Sequence, residues 1–398
     1  MSTKEGALSG VRLLSFAQMA QGPSAVQYLA DMGADVIKIE RPRTGGLERT
    51  WTALQLHVGG ESAFFLGLNR NQRSLTVNLK SDRGREIIHR LAAGTDVLLE
   101  NFRPGVMDRL GIGYDALSEI NPGLIYAVAT GYGSDGPYRK RPGQDLLAQA
   151  MGGLASMTGT RDDLPTPAGA AIVDVHSSAL LTMAILAALF HRQQSGKGQK
   201  VEANLLESAI DLQKEALFYY MNGGGSRATT RSASGIGAPF YEAPHGIYRT
   251  RDGHIAIALN PLDKLGRILG IEEIRAFGPR EAFDRRDEVK ERIQRVLETR
   301  TTSEWLELMD AEDVWCSSVN DYDRLVEDPQ VRHNRVLRTM EREDIGSFQI
   351  VAPPFRMSAT PPDPGEPPPR LGQHTEQILG SLGYGREQID EMREQGVV

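Results

Sequence analysis

Short β-rich runs alternate with amphipathic stretches along the first third of the chain, and this alternation limits the possible folds more than any other feature. The β-rich runs are VRLLSF from Val11, DVIKIE from Asp35, SLTVNL from Ser74, DVLLEN from Asp96 and LIYAVAT from Leu124. Between them, SAVQYLADMG and SDRGREIIHRLAAG carry apolar residues at helical spacing and end in glycine. The pattern predicts an α/β fold with a mostly parallel, doubly wound sheet.

A doubly wound sheet also predicts where a ligand would bind. Such sheets hold ligands in the crevice beyond the carboxyl ends of their strands. Four segments of this chain follow predicted strands, and we expect the functional site among them: Ala17 to Pro23, Glu40 to Pro42, Asn101 to Gly105 and Thr130 to Pro137.

The amino-acid composition of the rest of the chain changes at two points. At 398 residues the chain exceeds the size at which a single core is usual, so two domains are expected. A glycine- and serine-rich stretch, GGGSRATTRSASGIGAP from Gly223, marks a composition break, and an Asp252-Gly253 hairpin followed by charged helices predicts a small α+β domain. Beyond Arg356, a proline-rich segment predicts an extended strap, and GREQIDEMREQG predicts a final helix.

Charge and composition exclude several classes of protein. A net charge of −7 gives no overall attraction to nucleic acid or anionic lipid. Cys316 is the single cysteine, which excludes an internal disulfide and fits a reducing cytosol. The longest apolar run, Ala179 to Phe190, is too short to span a bilayer, and the first ten residues lack an apolar signal core. We therefore expect a soluble cytoplasmic protein with no nucleic-acid or membrane partner.

Two familiar kinds of site find little support. GYGSDG, from Gly131 to Gly136, matches the dinucleotide fingerprint, but the PYRKRPGQ that follows cannot open the helix that would hold a phosphate. A dinucleotide-dependent oxidoreductase therefore stays only as an alternative. The eight histidines include no His-Glu-x-x-His pair, and His176 and His191 suit solvated or capping roles, so no metal site is expected.

Carboxylates are the remaining candidates for a nucleophile, since no Gly-x-Ser-x-Gly elbow occurs. Asp174 stands at the start of the long apolar stretch AGAAIVDVHSSALLTMAILAALFHR. The pattern alone favours a helix N-cap, a position where Asp is common. The same position would keep the carboxylate ionised through the helix dipole, so a cap and a nucleophile are compatible.

Four segments together resemble the family III CoA-transferases over most of the chain, the small domain matching more loosely. They are GVRLLSFAQMAQGPSAVQYLADMGADVIKIERP, LENFRPGVMDRLGIGYDAL, GAAIVDVHSSALLTMAILAALFHRQQSGKGQKVEANLLESA and PPFRMSATPPDPGEPPPRLGQHTEQIL. This family includes formyl-CoA, carnitine-CoA and succinyl-CoA transferases and the 2-methylacyl-CoA racemases. The resemblance implies transfer of coenzyme A from an acyl-CoA to a carboxylic acid, without a metal.

The resemblance also assigns residues. It implies that Asp174 is the nucleophile, forming an aspartyl-CoA thioester. It places ten residues around coenzyme A: Ala20, Gln21, Arg41, Val77, Asn78, Lys80, Asn101, Phe102, Arg103 and Arg109. Four of these are cations, which suit a ligand that carries several phosphate charges. Gln144 and Asp145 are expected to line the substrate site.

The implied architecture is a large Rossmann-like domain at 1–225, a small α+β domain at 226–335, and a strap and helix at 336–398 that return to the large domain. The family also implies an interlocked homodimer.

One departure from the family pattern bears on the chemistry. Racemases of this family carry a histidine where this chain has Gln144 in PGQDLLAQA. Glutamine cannot exchange a proton near neutral pH, so racemisation by that route is disfavoured. A racemase or other acyl-CoA isomerase and a non-catalytic acyl-CoA-binding protein remain the alternatives to a transferase.

Overall fold

The structure, a computed structural model, describes residues 6–398, which form two compact units. The first unit contains the described residues up to Ala148, together with Ala171–Ser208 and Pro329–Val398, and the second contains Gln149–Ala170 and Ala209–Asp328. The second unit thus contains two segments that the sequence assigned to the large domain, 149–170 and 209–225, and it ends at Asp328, before the expected boundary at 335. The glycine- and serine-rich stretch lies inside this unit: it forms short helical turns as far as Ala228 and then a loop, and it does not mark the edge of the unit.

The secondary structure of the described residues comprises the following elements. The strands are β1 Arg12–Ser15, β2 Asp35–Glu40, β3 His57–Val58, β4 Glu61–Ser62, β5 Gln72–Thr76, β6 Val97–Glu100, β7 Ile125–Thr130, β8 Lys200–Asn204, β9 Gly246–Arg249, β10 His254–Ile257, β11 Cys316–Ser318, β12 Leu337–Arg342 and β13 Gly346–Val351. The helices are α1 Gln21–Asp31, α2 Ala63–Leu68, α3 Asp82–Ala92, α4 Val106–Arg109, α5 Tyr114–Ile120, α6 Asp145–Met151, α7 Leu154–Met157, α8 Ile172–Ser195, α9 Leu205–Asp211, α10 Lys214–Tyr219, α11 Leu262–Leu269, α12 Glu272–Arg275, α13 Pro279–Asp284, α14 Arg286–Leu297, α15 Thr302–Asp310, α16 Tyr322–Glu327, α17 Pro329–Asn334, α18 Thr375–Ser381 and α19 Arg386–Glu394.

A six-stranded sheet forms the centre of the first unit. Its strand order is β5-β2-β1-β6-β7-β8, and every neighbouring pair is parallel. Counted along the chain, this is the order 3-2-1-4-5-6 of doubly wound dinucleotide-binding folds. The predicted parallel sheet is therefore confirmed, and its strand order reverses between β1 and β6.

Alternating side chains place a hydrophobic core on each face of this sheet. Leu13 and Leu99 point to one face, where α1 and α8 pack, while Leu14 and Leu98 point to the other, which α3, α5, α18 and α19 cover. Successive residues of a strand face opposite sides, so strands buried on both faces read as continuous apolar runs. This is why the short runs VRLLSF and DVLLEN were recognisable in the sequence.

Helix α8 is longer than the apolar run that marks it. It has 24 residues and is long and apolar enough to cross a membrane by length and composition alone, a test that the core helix of a soluble protein also passes. The run is only part of the helix, because α8 begins at Ile172 and continues to Ser195. Leu181, Ile185 and Leu189 of α8 are buried in the core shared with α1 and the sheet.

The second unit contains a three-stranded antiparallel sheet, β11-β10-β9. β9 and β10 form the hairpin predicted at Asp252-Gly253. Helices α11 to α15 pack on this sheet around a core whose largest members include Tyr248, Ile255, Leu265, Ile293 and Trp305.

A buried ion pair and its neighbours connect α1, the end of β13 and the proline-rich strap of the first unit. Arg70 makes a bidentate pair with Asp31 at the end of α1 and donates a further hydrogen bond to the Val351 carbonyl at the end of β13. Asn71 donates to Asp31 and to the Asp363 carbonyl, which ties the proline-rich strap to the same point. Both Arg70 and Asp31 are almost fully buried.

We expect Arg70→Gln to lower the free energy of unfolding by about 3 kcal/mol, because it leaves the Asp31 carboxylate buried without its counter-charge. Arg73→Gln is the matched control, since Arg73 pairs with Asp35 where both side chains are partly exposed, and it should change stability by roughly 0.5 kcal/mol or less. Chemical denaturation of both variants measures the difference. Equal losses would show that burial does not set the strength of the Arg70 pair.

Candidate active site

A cavity of about 890 Å³ lies in the first unit beyond the carboxyl ends of the strands around the switch point. Its wall contains Gln18 after β1, the Ile39–Thr44 stretch at the end of β2, residues 77–80 after β5, and Phe102 after β6. This is the edge where a doubly wound sheet is expected to bind a ligand.

The cavity brings together part of the set of residues that the resemblance assigned to coenzyme A. The members that line it are Arg41, Val77, Asn78, Lys80, Phe102 and Arg109. The members that do not line it are Ala20, Gln21, Asn101 and Arg103. Gln18 lies within the predicted strand-end segment Ala17 to Pro23, whereas sequence reasoning missed other parts of the wall, chiefly Arg43, Thr44, Leu79, Leu110 and Glu394–Gly396.

Cations outnumber acids along the cavity wall. Arg41, Arg43, Lys80 and Arg109 line it, against the carboxylates of Glu40 and Glu394. Burial would raise the pKa of Glu40, but hydrogen bonds from Arg49 and the charge of Lys38 hold it below its usual range, so Glu40 is ionised and engaged by its own partners. The cavity wall therefore carries a net positive charge, which suits an anionic ligand such as a nucleotide phosphate.

Asn101 does not line the cavity but makes hydrogen bonds to Gln18, a residue of its wall. Its Oδ1 accepts a hydrogen bond of 2.8 Å from the backbone N–H of Gln18, and its Nδ2 donates one of 2.7 Å to the carbonyl of Gln18. Glu100 accepts a hydrogen bond of 2.7 Å from the Phe102 N–H, and burial raises the pKa of Glu100 to about 7. The two Asn101 bonds fix the loops after β1 and β6 to each other at the switch point, and the Glu100 bond holds the start of the loop after β6.

Asn78 connects the cavity to the end of α19. Its backbone N–H donates to the Val397 carbonyl at 2.7 Å, and its side-chain amide donates to the Gly396 carbonyl at 3.3 Å. Glu394, Gln395 and Gly396 thereby become part of the wall. Nothing in the local sequence could have indicated this contact, since its partners are 318 positions apart.

Asp174 is not the N-cap of α8, contrary to the prediction from the helix pattern. The helix begins at Ile172 with Ala171 at the N-cap position, so Asp174 is its third residue and contributes one of the free N–H groups itself. Asp145, the first residue of α6, performs the capping instead: its Oδ2 accepts from the N–H groups of Val173, at 2.7 Å, and Asp174, at 3.0 Å.

The carboxyl group of Asp174 is partly buried and has an altered acidity. Burial, reinforced by the neighbouring charge of Asp145, raises its pKa to about 7. Near neutral pH the group therefore exists as a mixture of acid and carboxylate. A pKa close to the working pH is frequent at catalytic positions.

Gln21 and Ser178 fix the start of α8 to the start of α1. The side-chain amide of Gln21 donates to Ser177 Oγ at 2.7 Å and to the Thr130 carbonyl at the end of β7. Ser178 Oγ is 2.6 Å from the Gln21 carbonyl and 2.7 Å from that of Asp174. Asp174 thus lies at the carboxyl edge of the sheet, and Gln21 has a positioning role in its placement.

The structure also locates the other residues and motifs that the sequence analysis named. Gln144 is exposed directly before α6, whereas Asp145 is buried and directed at the helix terminus. The Gly131–Gly136 motif leads into a loop that continues to α6, so no helix opens on it.

Burial raises the pKa of Cys316 to about 11, which keeps it a thiol. Within residues 6–398, no cluster of three or more His, Cys, Asp or Glu side chains could hold a metal ion.

Comparison with known proteins agrees with this geometry. Residues 8–375 match the family model for CoA-transferase family III. Succinyl-CoA:glutarate CoA-transferase of Homo sapiens is 33% identical over 399 residues, which cover 98% of this chain and 90% of that protein. Formyl-CoA:oxalate CoA-transferase of Streptomyces coelicolor is 32% identical over 415 residues, which cover 98% and 99%.

A solved structure extends the agreement to the fold. The crystal structure of a CaiB/BaiF family protein from Brucella suis matches with a TM-score of 0.83 and 29% identity, covering 95% of this chain and 100% of that one. The family profile, the full-length relatives and the fold all lead to one assignment. The chain belongs to CoA-transferase family III, as its resemblance predicted.

Proposed function

We propose that this enzyme transfers coenzyme A from an acyl-CoA thioester to a carboxylic acid through an aspartyl-CoA thioester on Asp174. The observation that carries the proposal is the placement of Asp174 in the first turn of α8, at the sheet edge beyond which the cationic cavity lies. The carboxylate is partly buried, and neighbouring side chains fix the turn that carries it.

The proposed reaction needs only carboxylates and a thiol. A carboxylate oxygen of Asp174 attacks the donor thioester carbonyl, forming a mixed anhydride and releasing the CoA thiolate. The thiolate attacks the aspartyl carbonyl of the anhydride, which releases the donor acid and leaves an aspartyl-CoA thioester. The acceptor carboxylate then attacks the carbonyl of the aspartyl thioester, which forms a second mixed anhydride and releases the CoA thiolate. The thiolate attacks the acceptor carbonyl of this anhydride, which yields the acceptor acyl-CoA and regenerates the Asp174 carboxylate.

Asp145 contributes to this chemistry through its position. It occupies two free N–H groups of α8 and places a negative charge near Asp174, which helps to raise the pKa of the nucleophile. A carboxylate with a higher pKa is a stronger nucleophile when ionised, although a smaller fraction is ionised at a given pH. In our proposal Asp145 therefore tunes the nucleophile and does not line the acyl site.

The names of the relatives suggest the class of acceptor. Glutarate and oxalate, which occur in those names, are both dicarboxylic acids. We infer that dicarboxylic acids are acceptors for this enzyme as well. The racemase alternative is weaker, because the exposed Gln144 cannot exchange a proton with the α-carbon of a substrate.

We also propose that the enzyme acts in the cytoplasm as a homodimer, interlocked as its family resemblance implies. An apolar face of α8 supports an assembly, since Val175, Met183 and Phe190 are 49%, 56% and 64% exposed. A second copy of the chain would remove these side chains from water.

Asp174→Asn should reduce the transfer rate by about 10³-fold or more, because an amide cannot form the anhydride. The affinity for coenzyme A should stay within about twofold, since the change removes the reaction path and no phosphate contact. Steady-state assays with succinyl-CoA and glutarate, together with calorimetric titration of coenzyme A, test both expectations. Near-normal transfer by the variant would exclude Asp174 as the nucleophile.

The same variant makes a prediction about stability. The native state holds a proton on Asp174 between its ordinary pKa of 3.8 and its raised value of about 7, so this residue lowers the stability of the fold as pH rises through that window. Asp174→Asn removes the effect, and the variant should gain stability over wild type between pH 5 and pH 8. A constant difference across that range in thermal unfolding would contradict the raised pKa.

The pH dependence of transfer should reveal the influence of Asp145. In wild type, kcat/KM should rise with pH through a limb near pH 7 as Asp174 ionises. Asp145→Asn keeps a carbonyl that can accept from α8 but removes the charge, so the limb should move to lower pH. An unchanged limb would show that Asp145 does not tune the nucleophile.

Arg109→Ala should weaken the binding of coenzyme A by about tenfold while leaving stability unchanged, because an exposed cation at the cavity contributes mainly to the phosphate contact. Arg103→Ala is the matched control: Arg103 is also exposed and lies just before α4, the helix that ends at Arg109, but it does not line the cavity. Calorimetric titration compares the two variants. Equal changes of affinity in the two variants would contradict a specific contact between Arg109 and the phosphates.

A further inference from the structure

The segment that follows β2, residues 41–49, supplies half of the cations in the cavity. We call it the cationic loop. Arg41, Arg43 and Thr44 of this loop line the cavity. Arg43 has a φ of 66°, a left-handed conformation that an arginine adopts only at a cost in energy. The loop must therefore be held in this shape by contacts elsewhere.

A buried ion pair provides one such contact. Lys38, in the middle of β2, is 1% exposed, and Glu48, near the end of the cationic loop, is 0% exposed. The Lys38 Nζ lies 3.0 Å from Glu48 Oε1 and donates a hydrogen bond of 2.9 Å to the Ala17 carbonyl. Lys38 thus joins the loop to the chain just before Gln18, another residue of the cavity wall.

Gly46 allows the loop to close over this pair. Its backbone passes so near Glu48 that a Cβ atom at this position would lie 2.6 Å from both Cδ and Oε2 of the carboxylate. The φ of Gly46, −78°, is one that any residue adopts, so the close approach to Glu48 and not the backbone conformation requires glycine.

A second ion pair holds the same end of the loop. Arg49 makes a bidentate pair with Glu40 at the end of β2, with both hydrogen bonds at 2.7 Å, and its guanidinium stacks on the ring of Phe65. The cationic loop is therefore fixed to β2 through two consecutive residues, Glu48 and Arg49.

The burial of Lys38 and Glu48 is difficult to explain by stability alone. The attraction between two buried charges at most offsets the free energy lost when both are removed from water. Apolar residues of similar size usually stabilise a fold as well or better. Glu48 Oε2 also accepts no hydrogen bond from the described residues. Neither side chain lines the cavity, so neither faces the space that coenzyme A is proposed to occupy.

We propose that Lys38 and Glu48 are positioning residues that hold Arg41 and Arg43 in place for the phosphates of the nucleotide part of coenzyme A. The inference rests on the proposed function, since it requires coenzyme A to occupy the cavity. Loss of the pair should weaken contacts with the nucleotide and leave contacts with the pantetheine arm unchanged.

Gly46→Ala tests the proposal without removing a charge, because the added methyl group displaces the Glu48 carboxylate. We expect the Kd for coenzyme A to rise about tenfold, the loss of roughly one charge-assisted contact, while the Kd for pantetheine, which lacks the nucleotide, changes less than about twofold. The KM for acyl-CoA should rise with kcat nearly unchanged. Gly67→Ala is the matched control, since Gly67 is an exposed residue of α2 and a Cβ atom added there would meet no atom within 4 Å, so Glu48 is not displaced.

The double variant Lys38→Met with Glu48→Gln gives a second measurement in which neither charge is left alone. It should show the same selective loss of affinity for coenzyme A. Equal changes for coenzyme A and pantetheine, or no change for either in a folded variant, would overturn the positioning role, as would failure of both variants to fold. If wild type itself binds no coenzyme A, the proposed function fails together with this inference.

Discussion

The reversal of strand order between β1 and β6 is the constraint on which the site depends. The loops after these two strands diverge there and leave a crevice, and Asn101 joins them again through two hydrogen bonds to Gln18. The cavity and the start of α8 both lie at this carboxyl edge because every strand of the sheet runs in the same direction. A mixed sheet would divide these side chains between opposite edges.

Buried and half-buried charges refine this arrangement at a cost to stability. Asp145 and Asp174 are two acids at one helix terminus, where the free N–H groups of α8 receive one carboxylate and the other keeps a raised pKa. Lys38 and Glu48 form a second such arrangement below the cationic loop. In our proposals, Asp145 sets the acidity of Asp174, and the Lys38–Glu48 pair sets the position of Arg41 and Arg43.

Much of the fold was predictable, because strands buried on both faces leave runs such as VRLLSF and because helix periodicity is a local property. The site was only partly predictable. Arg41 follows from the parallel sheet and the family resemblance, and Lys80 from the resemblance alone. The wall at Glu394–Gly396 and the capping of α8 by Asp145 depend instead on tertiary contacts between distant segments. The cap prediction for Asp174 was wrong because α8 begins without a capping side chain of its own, so no residue in the sequence marked its first turn.

Covalent trapping tests the central claim most directly. Wild-type enzyme is incubated with succinyl-CoA in the absence of an acceptor, treated with hydroxylamine and digested, and the peptides are measured by mass spectrometry. Our account predicts an aspartyl hydroxamate on the peptide that contains Asp174 and none in the Asp174→Asn variant. A hydroxamate on another residue, or active enzyme that forms no adduct under these conditions, would contradict it.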